Sequence, residues 1–380
     1  MKKVLIVTRN FPPLLGGMER LNRHMAEELF RYCEVRLIAP QGAAEHVSGE
    51  MAVRQIPVRP LSRFLLKAAW QTLREARTWK PDIILAGSGL TAPLALIAAR
   101  ASKAKAVAYV HGLDLTAPHP VYRALWLPLM KKLDGLIANS RPTQALAEEI
   151  GALPERIRIV HPGVSLTPPD PAARSRFRAS RHLGEGPILL SVGRLTARKG
   201  LREFVTDALP QIVAQFPDVQ LTVIGDVPKD SLHAEDQSIE SIAAAAQQAG
   251  VEKNLRFLGK LSDAELADAY AGANLHVFPI RFIPNNPEGF GMVAIEAAAQ
   301  GLATVAYATG GVVDAVSEGE SGLLVEPGNA DAFSKAVAQL LRQPFPAEQI
   351  RAFAAKFDWS SFGAQVFECL KQFSAETKHA

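Results

Sequence analysis

Short, continuous apolar runs alternate with segments of helical periodicity along the chain, and this alternation occurs in both halves. In the first half the runs predict strands at residues 3–7, 35–39, 82–86, 106–110, 135–139 and 156–160. The second half predicts strands at residues 188–193, 220–225, 255–259, 275–279, 303–307 and 322–326. The runs are apolar throughout, which is typical of parallel strands covered on both faces.

Helical patterns lie between these runs. In the first of them Leu21, Met25 and Leu29 recur at helical spacing and form one apolar stripe. The predicted helices span residues 19–32, 62–79, 92–101, 122–133, 141–150, 200–216, 236–250, 263–272, 291–300, 311–317 and 330–342. Strands that alternate with helices predict an α/β protein with two doubly wound parallel sheets. Ligands of such sheets bind beyond the carboxyl ends of the strands, so we expect a cleft between two domains.

The length of 380 residues also agrees with two domains. Residues 165–186 are rich in Pro, Arg and Gly and have no clear period. They predict a linker between an N-terminal domain at 1–168 and a C-terminal domain at 185–358. The last segment, 359–380, begins with a helical pattern that we expect to pack back on the first domain.

Charge is distributed unevenly over the two halves. Residues 1–170 contain 23 Lys and Arg against 14 Asp and Glu, whereas residues 171–380 contain 19 against 24. The excess is either without functional meaning or marks a surface for an anionic membrane or acceptor. Segments 62–80 and 121–132 combine apolar and basic residues. They are either core helices with solvated edges or a seat on anionic lipid.

Cysteine usage and hydropathy restrict the expected location. Cys33 and Cys369 are far apart and fit no metal or redox spacing, which agrees with a reducing compartment. The apolar run at residues 4–7 is too short for a signal peptide. No apolar run approaches the ~20 residues that span a bilayer. We expect a cytoplasmic protein, or a peripheral one on the inner face of the cytoplasmic membrane.

A glycine pair, Gly16 and Gly17, follows the first predicted strand and precedes its helix. Without side chains the backbone can approach a ligand, and amide groups at a helix N-terminus favour anions. The alternative is an ordinary turn. The three-glycine dinucleotide fingerprint is absent, which argues against a dehydrogenase.

The segment GRLTARKG, residues 193–200, directly follows the first strand of the second half. Arg194 offers a planar fork for phosphate oxygens and Lys199 offers a compact charge, so both suit a diphosphate. Arg198 is interpreted as solvated. The alternative is a charged surface loop that binds nothing.

The segment EGFGMVAIE, residues 288–296, places Gly289 and Gly291 just before a helix. Amide groups at the start of that helix favour a phosphate. A carboxylate among alanines is costly without a partner, so Glu296 is a candidate acceptor for ribose hydroxyls. Glu288 either accepts from sugar hydroxyls or only compensates the charge of the helix end.

His111 and Asp114 follow the strand at 106–110, where a side chain would face a ligand. A single histidine is often structural, so both interpretations of His111 stay open.

Taken together, these motifs resemble the retaining glycosyltransferases of family 4, which have the GT-B fold. The resemblance covers essentially the whole chain. It consists of the Gly16–Gly17 turn, HGLD at 111–114, HPGV at 161–164, GRLTARKG, VIGD at 223–226, and EGFGMVAIEA with two glutamates separated by seven residues. GRLTARKG and EGFGMVAIEA are its most specific parts.

The resemblance implies a role for each candidate residue. Arg194 and Lys199 would neutralise the donor diphosphate. Glu288 would bind the donor sugar, Glu296 the ribose, and His111 would lie beside the transferred sugar. The further donor contacts that it implies are Gly16, Gly17, Gly193, Gly289, Phe290, Gly291, Met292 and Val293, with Lys260 and Leu261 near the base.

The resemblance also implies the reaction. A hexose of the mannose, glucose or N-acetylhexosamine class would leave a UDP- or GDP-sugar and join a glycan, lipid-linked or small-molecule acceptor in an α linkage, with retention, during synthesis of cell-surface polysaccharide or glycolipid. Fixed cations and helix amides would stabilise the leaving diphosphate. The chain contains no Asp-x-Asp, so we expect no metal and no cofactor, and we expect no nucleic-acid partner. A nucleotide-sugar 2-epimerase and a non-catalytic two-domain sugar-binding protein are the alternatives.

Overall fold

The computed structural model describes residues 2–227 and 237–375, and the chain separates into two units. Unit 1 comprises Met1–Gly163 with Asp358–Ala380, and unit 2 comprises Val164–Phe357. Each unit contains one parallel sheet whose central strands are buried at almost every position, so helices cover both faces. The predicted fold class, two doubly wound parallel sheets, is confirmed.

The sheet of unit 1 has the strand order β3-β2-β1-β4-β5-β6-β7. Its strands are β1 Lys3–Val7, β2 Glu34–Pro40, β3 Ala52–Ile56, β4 Ile83–Ala86, β5 Lys105–Val110, β6 Gly135–Ala138 and β7 Ile157–Ile159. The predicted strands match these closely except for β3, which the sequence does not predict. β3 pairs only with β2, and it buries little besides Ile56, so it has no apolar run.

Most helices of unit 1 follow the predicted segments with small differences at their ends, but the sequence does not predict Gly112–Thr116, and Leu127–Met130 covers only part of the predicted segment 122–133. The helices are α1 Gly17–Phe30, α2 Leu61–Thr78, α3 Ala92–Ser102, α4 Gly112–Thr116, α5 Leu127–Met130, α6 Arg141–Glu149 and, from the end of the chain, α16 Trp359–Ala375. The predicted stripe on α1 is buried in the core. Ser140 begins α6 by accepting a hydrogen bond from the Thr143 amide, as a helix N-cap does.

The C-terminal helix α16 is part of unit 1. The Trp359 ring stacks on His24 of α1 with 4.0 Å between ring centroids. Gly363 lies against Glu28 of α1, and an added side chain there would collide with it. The end of the chain therefore completes the core of the first unit.

Unit 2 has a sheet with the strand order β10-β9-β8-β11-β12-β13. Its strands are β8 Ile188–Val192, β9 Gln220–Ile224, β10 Leu255–Gly259, β11 Leu275–Phe278, β12 Thr304–Tyr307 and β13 Gly322–Val325. Its helices are α7 Ala173–Ser180, α8 Leu201–Glu203, α9 Leu209–Gln215, α10 Ile239–Gln248, α11 Asp263–Gly272, α12 Met292–Ala299, α13 Val312–Ala315, α14 Ala330–Arg342 and α15 Ala347–Ala355. Residue 236, the first of the predicted helix at 236–250, lies outside the described residues.

The predicted linker at 165–186 is wrong, because this segment belongs to unit 2 and contains helix α7. Phe177 is buried, and Arg178 is buried as well. The Arg178 guanidinium donates to the carbonyl oxygens of Gly184 and Gly186 at 2.5 and 3.1 Å. The boundaries between the units accordingly lie at 163/164 and 357/358 instead of 168/185 and 358/359.

None of the helices within residues 2–227 and 237–375 combines the length and the apolar character that a membrane span requires.

Candidate functional site

The two basic and glycine-rich motifs of unit 2 follow neighbouring strands. GRLTARKG follows β8, and the loop that ends at α12 follows β11. β8 and β11 are adjacent, and from them the strand order runs outward in opposite directions. This is the topological switch point of the sheet, where loops diverge and leave a crevice for a ligand.

A short turn presents two of the basic side chains of GRLTARKG. Residues Ala197–Lys199 form one 3-10 turn, and Gly200 ends it with φ 66°. A side chain on Gly200 would collide with the carbonyl oxygen of Pro279, so this position requires glycine. The Arg281 amide donates to the Arg198 carbonyl at 2.8 Å. These contacts hold the turn against the end of β11.

Lys199 and Arg198 both face Glu288. The Lys199 ammonium donates to Glu288 Oε2 at 2.8 Å, and an Arg198 nitrogen lies 3.5 Å from the same oxygen. The Arg198 guanidinium also donates to the Pro287 carbonyl at 2.5 Å. Their side chains are only 16%, 14% and 12% exposed for Lys199, Arg198 and Glu288. The expectation that Arg198 is solvated is therefore wrong, because it is tied to the second motif.

Positive charge is in excess at this point. Burial acts to raise the pKa of Glu288, but Arg198 and Lys199 outweigh it and hold that pKa at about 2. Burial lowers the pKa of Lys199, and Arg198 and Arg194 add to this effect against the pull of Glu288. Both directions follow from three cations around one carboxylate. We call Arg194, Arg198, Lys199 and Glu288 the basic cluster.

Arg194 is the exposed member of the basic cluster. It follows Gly193, and the Leu195 amide donates to the Asp226 carbonyl at 3.1 Å, which joins this loop to the end of β9. Lys199 and Arg198 are both paired with Glu288, whereas Arg194 is not. The Arg194 guanidinium can therefore approach an anion without giving up a contact with that carboxylate. The cluster is therefore suited to a di- or multivalent anion.

Three glycines, Gly289, Gly291 and Gly311, shape the start of α12. Gly291 precedes the helix with φ 99°, and no side chain caps it. The Gly311 amide donates to the Glu288 carbonyl at 2.8 Å, and a side chain on Gly311 would collide with Gly289. The first amides of the helix, at Met292 and Val293, have no partner inside the helix because of their position. They add the positive end of a helix dipole to the same edge of the sheet.

Glu296 lies on α12 and is half-buried. The Tyr270 hydroxyl donates to Glu296 Oε2 at 3.3 Å. The expectation of a buried carboxylate without a protein partner is wrong, although one oxygen bonded at this distance keeps capacity to accept further hydrogen bonds.

Lys260 and Leu261 follow β10 at the same edge of the sheet as the two motifs. Lys260 is exposed, and its ammonium lies 3.7 Å from Asp226. Leu261 is partly buried against the core. Because β9 lies between β10 and β8, these residues border the crevice from one side rather than belonging to the basic cluster.

Unit 1 places its own candidate residues at a corresponding switch point, between β1 and β4. Gly16 precedes α1, and Gly17 is its first residue. The Glu19 carboxylate folds back against Gly16 and accepts a hydrogen bond from Nδ2 of the Asn10 side chain at 2.8 Å. The anion that the sequence predicts at this turn would therefore meet a carboxylate that is already there.

His111 lies in a buried polar group at the ends of β4, β5 and β6. Its Nδ1 is 3.4 Å from the Asn139 side-chain nitrogen. Within the described residues, His111 Nε2, Asn139 Oδ1, Ser88 Oγ and Asn22 Oδ1 are buried without a hydrogen-bond partner. Buried polar atoms of this kind are rare and costly, so their concentration here indicates a place for ligand hydroxyls or water.

Burial also sets the protonation of this polar group. It lowers the pKa of His111, although Asp114 acts in the opposite direction. The neutral form of the imidazole is therefore favoured. Asp114 accepts from the His111 amide at 3.0 Å and its carbonyl accepts from Tyr122, which indicates a structural role. The sequence did not single out Ser88 or Asn139, although each polar residue follows a buried strand.

A surface cavity of about 680 Å³ lies elsewhere in unit 2. Ile188 and Gln220, which begin β8 and β9, line it, so it opens at the amino ends of the strands. It contains no residue of the basic cluster and is not part of the candidate site.

Both parts of the chain match known protein families. Residues 173–357 match the model of the family described as glycosyl transferases group 1, and residues 15–167 match that of glycosyltransferase family 4. The chain is 28% identical to a GDP-mannose-dependent alpha-(1-6)-phosphatidylinositol monomannoside mannosyltransferase of Mycolicibacterium smegmatis, over 97% of this chain and 98% of that protein.

Another relative and a solved structure are similar to this chain and are named for other substrates or ligands. A D-inositol 3-phosphate glycosyltransferase of Catenulispora acidiphila is 33% identical over 67% of this chain and 60% of that protein. Among solved structures, Anabaena HepE in complex with UDP-glucose superposes with a TM-score of 0.80 at 21% identity, over 98% of this chain and 100% of the other. This structural likeness shows the GT-B fold.

Proposed function

The chain belongs to the glycosyltransferases of family 4 and uses a nucleotide sugar, and from this we propose that it transfers a hexose with retention to an inositol-containing acceptor. GDP-mannose is the first donor to test, because the relatives that match over their full length are named for it. A phosphorylated inositol, free or in a lipid, is the acceptor class that two groups of relatives share in their names.

The positive excess of the basic cluster carries this proposal. Lys199 and Arg198 crowd one carboxylate, Arg194 lies exposed beside them, and α12 begins at the same edge of the sheet. A diphosphate fits all three features, since it is divalent and accepts hydrogen bonds from cations and backbone amides.

In the proposed reaction the bond between the anomeric carbon and the diphosphate oxygen breaks, and its electron pair goes to the diphosphate. Arg194, Lys199 and the first amides of α12 stabilise the charge that develops there. The acceptor hydroxyl bonds to the anomeric carbon from the face that the diphosphate leaves, and its proton goes to the departing phosphate. This chemistry uses the cations of the chain in place of a metal ion.

Other residues bind the parts of the donor that do not react. Glu288 is ionised at neutral pH, so it accepts hydrogen bonds from sugar hydroxyls, and Glu296 accepts from the ribose. In unit 1 the unpartnered atoms around His111 are proposed to bind substrate hydroxyls.

A transfer assay tests the function. The protein is incubated with GDP-mannose or UDP-glucose, with and without inositol 3-phosphate or phosphatidylinositol, and release of nucleoside diphosphate is followed. We expect release that depends on one donor and one acceptor, and a product whose anomeric configuration equals that of the donor. Interconversion of free nucleotide sugars without acceptor would instead establish the epimerase, and tight binding without turnover a binding protein.

A lipid acceptor would bring the protein to a membrane, and α2 has a surface suited to it. Leu66 and Trp70 are 74% and 62% exposed although they are large and apolar, and Arg63, Lys67 and Arg74 are exposed on the same helix. Apolar side chains flanked by basic ones suit an anionic lipid surface. We propose that α2 makes this contact.

Sedimentation with vesicles tests the α2 contact. Vesicles that contain phosphatidylglycerol should bind the protein, and Leu66→Gln with Trp70→Gln should weaken this binding. Leu153→Gln, at another exposed apolar position of unit 1, is the matched control. Equal binding of the wild type to neutral and anionic vesicles would contradict the proposal.

A further inference from the structure

Arg198 and Lys199 hold Glu288 in different ways. Besides its ion pair with Glu288, the Arg198 guanidinium donates a hydrogen bond to the Pro287 carbonyl at 2.5 Å, so the Glu288 side chain is not all that holds it. The Lys199 ammonium has Glu288 at 2.8 Å and otherwise the face of Phe278, at 4.7 Å from the ring centroid. A lysine with a flexible stem and one anion partner turns more easily than an arginine that is held at two places.

A diphosphate in the crevice would compete with Glu288 for Lys199. The diphosphate as a whole carries more charge than the carboxylate, and an ammonium donates in several directions. When Lys199 turns toward the phosphate, Glu288 loses its nearest donor. Arg198 stays beside Glu288, because it lies 3.5 Å from the carboxylate and is hydrogen-bonded to the carbonyl of the preceding residue, Pro287.

Resting on the proposed function, we propose that Arg198 is a positioning residue that keeps the Glu288 carboxylate ionised and oriented toward the donor sugar after Lys199 has engaged the diphosphate. Arg198 itself does not contact the donor. Its backbone contributes to the same end, because the Arg281 amide donates to the Arg198 carbonyl at 2.8 Å.

If Arg198 acts only through Glu288, its replacement weakens binding of the donor sugar and leaves binding of the diphosphate unchanged. GDP contains the diphosphate but no transferred sugar, whereas GDP-mannose contains both. A residue that acts only through Glu288 affects the second ligand and not the first. Both the charge and the second contact of Arg198 are needed for this, so Arg198→Lys, which keeps the charge, should retain part of the function and Arg198→Gln should retain little of it.

Titration calorimetry with GDP and GDP-mannose, and in parallel with UDP and UDP-glucose, tests the assignment. For Arg198→Gln we expect an unchanged GDP dissociation constant and a GDP-mannose dissociation constant raised about tenfold, as for one lost charge-assisted contact. Arg198→Lys should restore part of this loss. Arg202→Gln is the control, since Arg202 is a half-exposed neighbour that pairs only weakly, at 3.5 Å, with Glu203.

The pH dependence gives a second readout that loss of loop support alone would not change. Without Arg198 the pKa of Glu288 rises. The pH at which GDP-mannose affinity is lost on acidification should therefore be higher in Arg198→Gln than in the wild type. In Arg202→Gln this pH should be unchanged. Equal weakening of GDP and GDP-mannose would show that Arg198 binds the diphosphate and overturn the assignment. Unchanged affinity for both would also overturn it. If the wild type binds neither pair of nucleotides, the proposed function itself is wrong.

Discussion

Replacement of Glu288 by glutamine removes the only carboxylate of the basic cluster and keeps its shape. Glutamine corresponds to the protonated form of Glu288, so its cost equals the free energy by which the fold favours the ionised form. The pKa of Glu288 is about 2 in the folded protein against 4.5 for an unperturbed glutamate. At 1.36 kcal/mol for each pKa unit, the difference corresponds to about 3 kcal/mol of unfolding free energy.

The sign fixes the pH window. The folded pKa is depressed, so the stabilisation is fully present above pH 4.5 and is lost as the pH falls toward 2. At pH 7 we therefore expect Glu288→Gln to be less stable than the wild type by about 3 kcal/mol, and at pH 4 the gap should narrow by about 1 kcal/mol.

Urea unfolding measures this gap. The four tryptophans, Trp70, Trp79, Trp126 and Trp359, lie in unit 1. Tryptophan fluorescence therefore follows unit 1, and circular dichroism follows both units. Because Glu288 lies in unit 2, Glu288→Gln should lower the urea midpoint of the part of the dichroism transition that belongs to unit 2. The fluorescence transition of unit 1 should not change. A gap that stays constant between pH 7 and pH 4, or that is absent at pH 7, would refute the electrostatic account of the basic cluster.

Three further predictions concern single residues. The Cε1 proton of His111 should titrate with a midpoint below that of an unperturbed histidine, because burial lowers the pKa of His111. Gly311→Ala should lower the melting temperature and reduce the unfolding free energy by about 1–3 kcal/mol, because its methyl group collides with Gly289. It should also reduce turnover, since Gly289 lies beside Glu288. Gly184→Ala, whose methyl group meets no other atom, should change neither stability nor turnover. Arg194→Ala should leave the melting temperature unchanged, since the side chain is exposed, yet reduce kcat/KM for the donor about 10- to 150-fold. A proton shift that titrates above pH 6.5, equal behaviour of the two glycine variants, or full activity of Arg194→Ala would contradict these expectations in turn.

Most of the fold could be predicted because buried parallel strands are apolar throughout. β3 could not, since it lies at the sheet edge and Ala52–Ile56 buries mainly Ile56. Helix α7 could not for another reason. Its sequence is rich in arginine, and one of these, Arg178, is buried because the Gly272 carbonyl and the Asn274 side chain accept from it in addition to nearby carbonyls. These two partners are distant in sequence, so no local pattern reveals them.

The candidate site shows the same limit. Its motifs could be found because glycine and basic residues follow strands at fixed places. The partner of Arg198 could not, since Glu288 and Pro287 lie about ninety residues further along the chain and only the sheet topology brings them together. Likewise Glu19 is an ordinary first-turn glutamate in the sequence, and only the structure shows it folded against Gly16.

Binding of a nucleoside diphosphate to the basic cluster tests the central claim most directly. Calorimetric titration of the wild type and of Lys199→Met with GDP and with UDP gives the four dissociation constants that matter. The wild type should bind one of the two nucleotides, and Lys199→Met should bind it at least about tenfold more weakly, because a buried cation that faces the diphosphate is lost. Equal affinity of the two proteins, or no binding of either nucleotide by the wild type, would contradict the account.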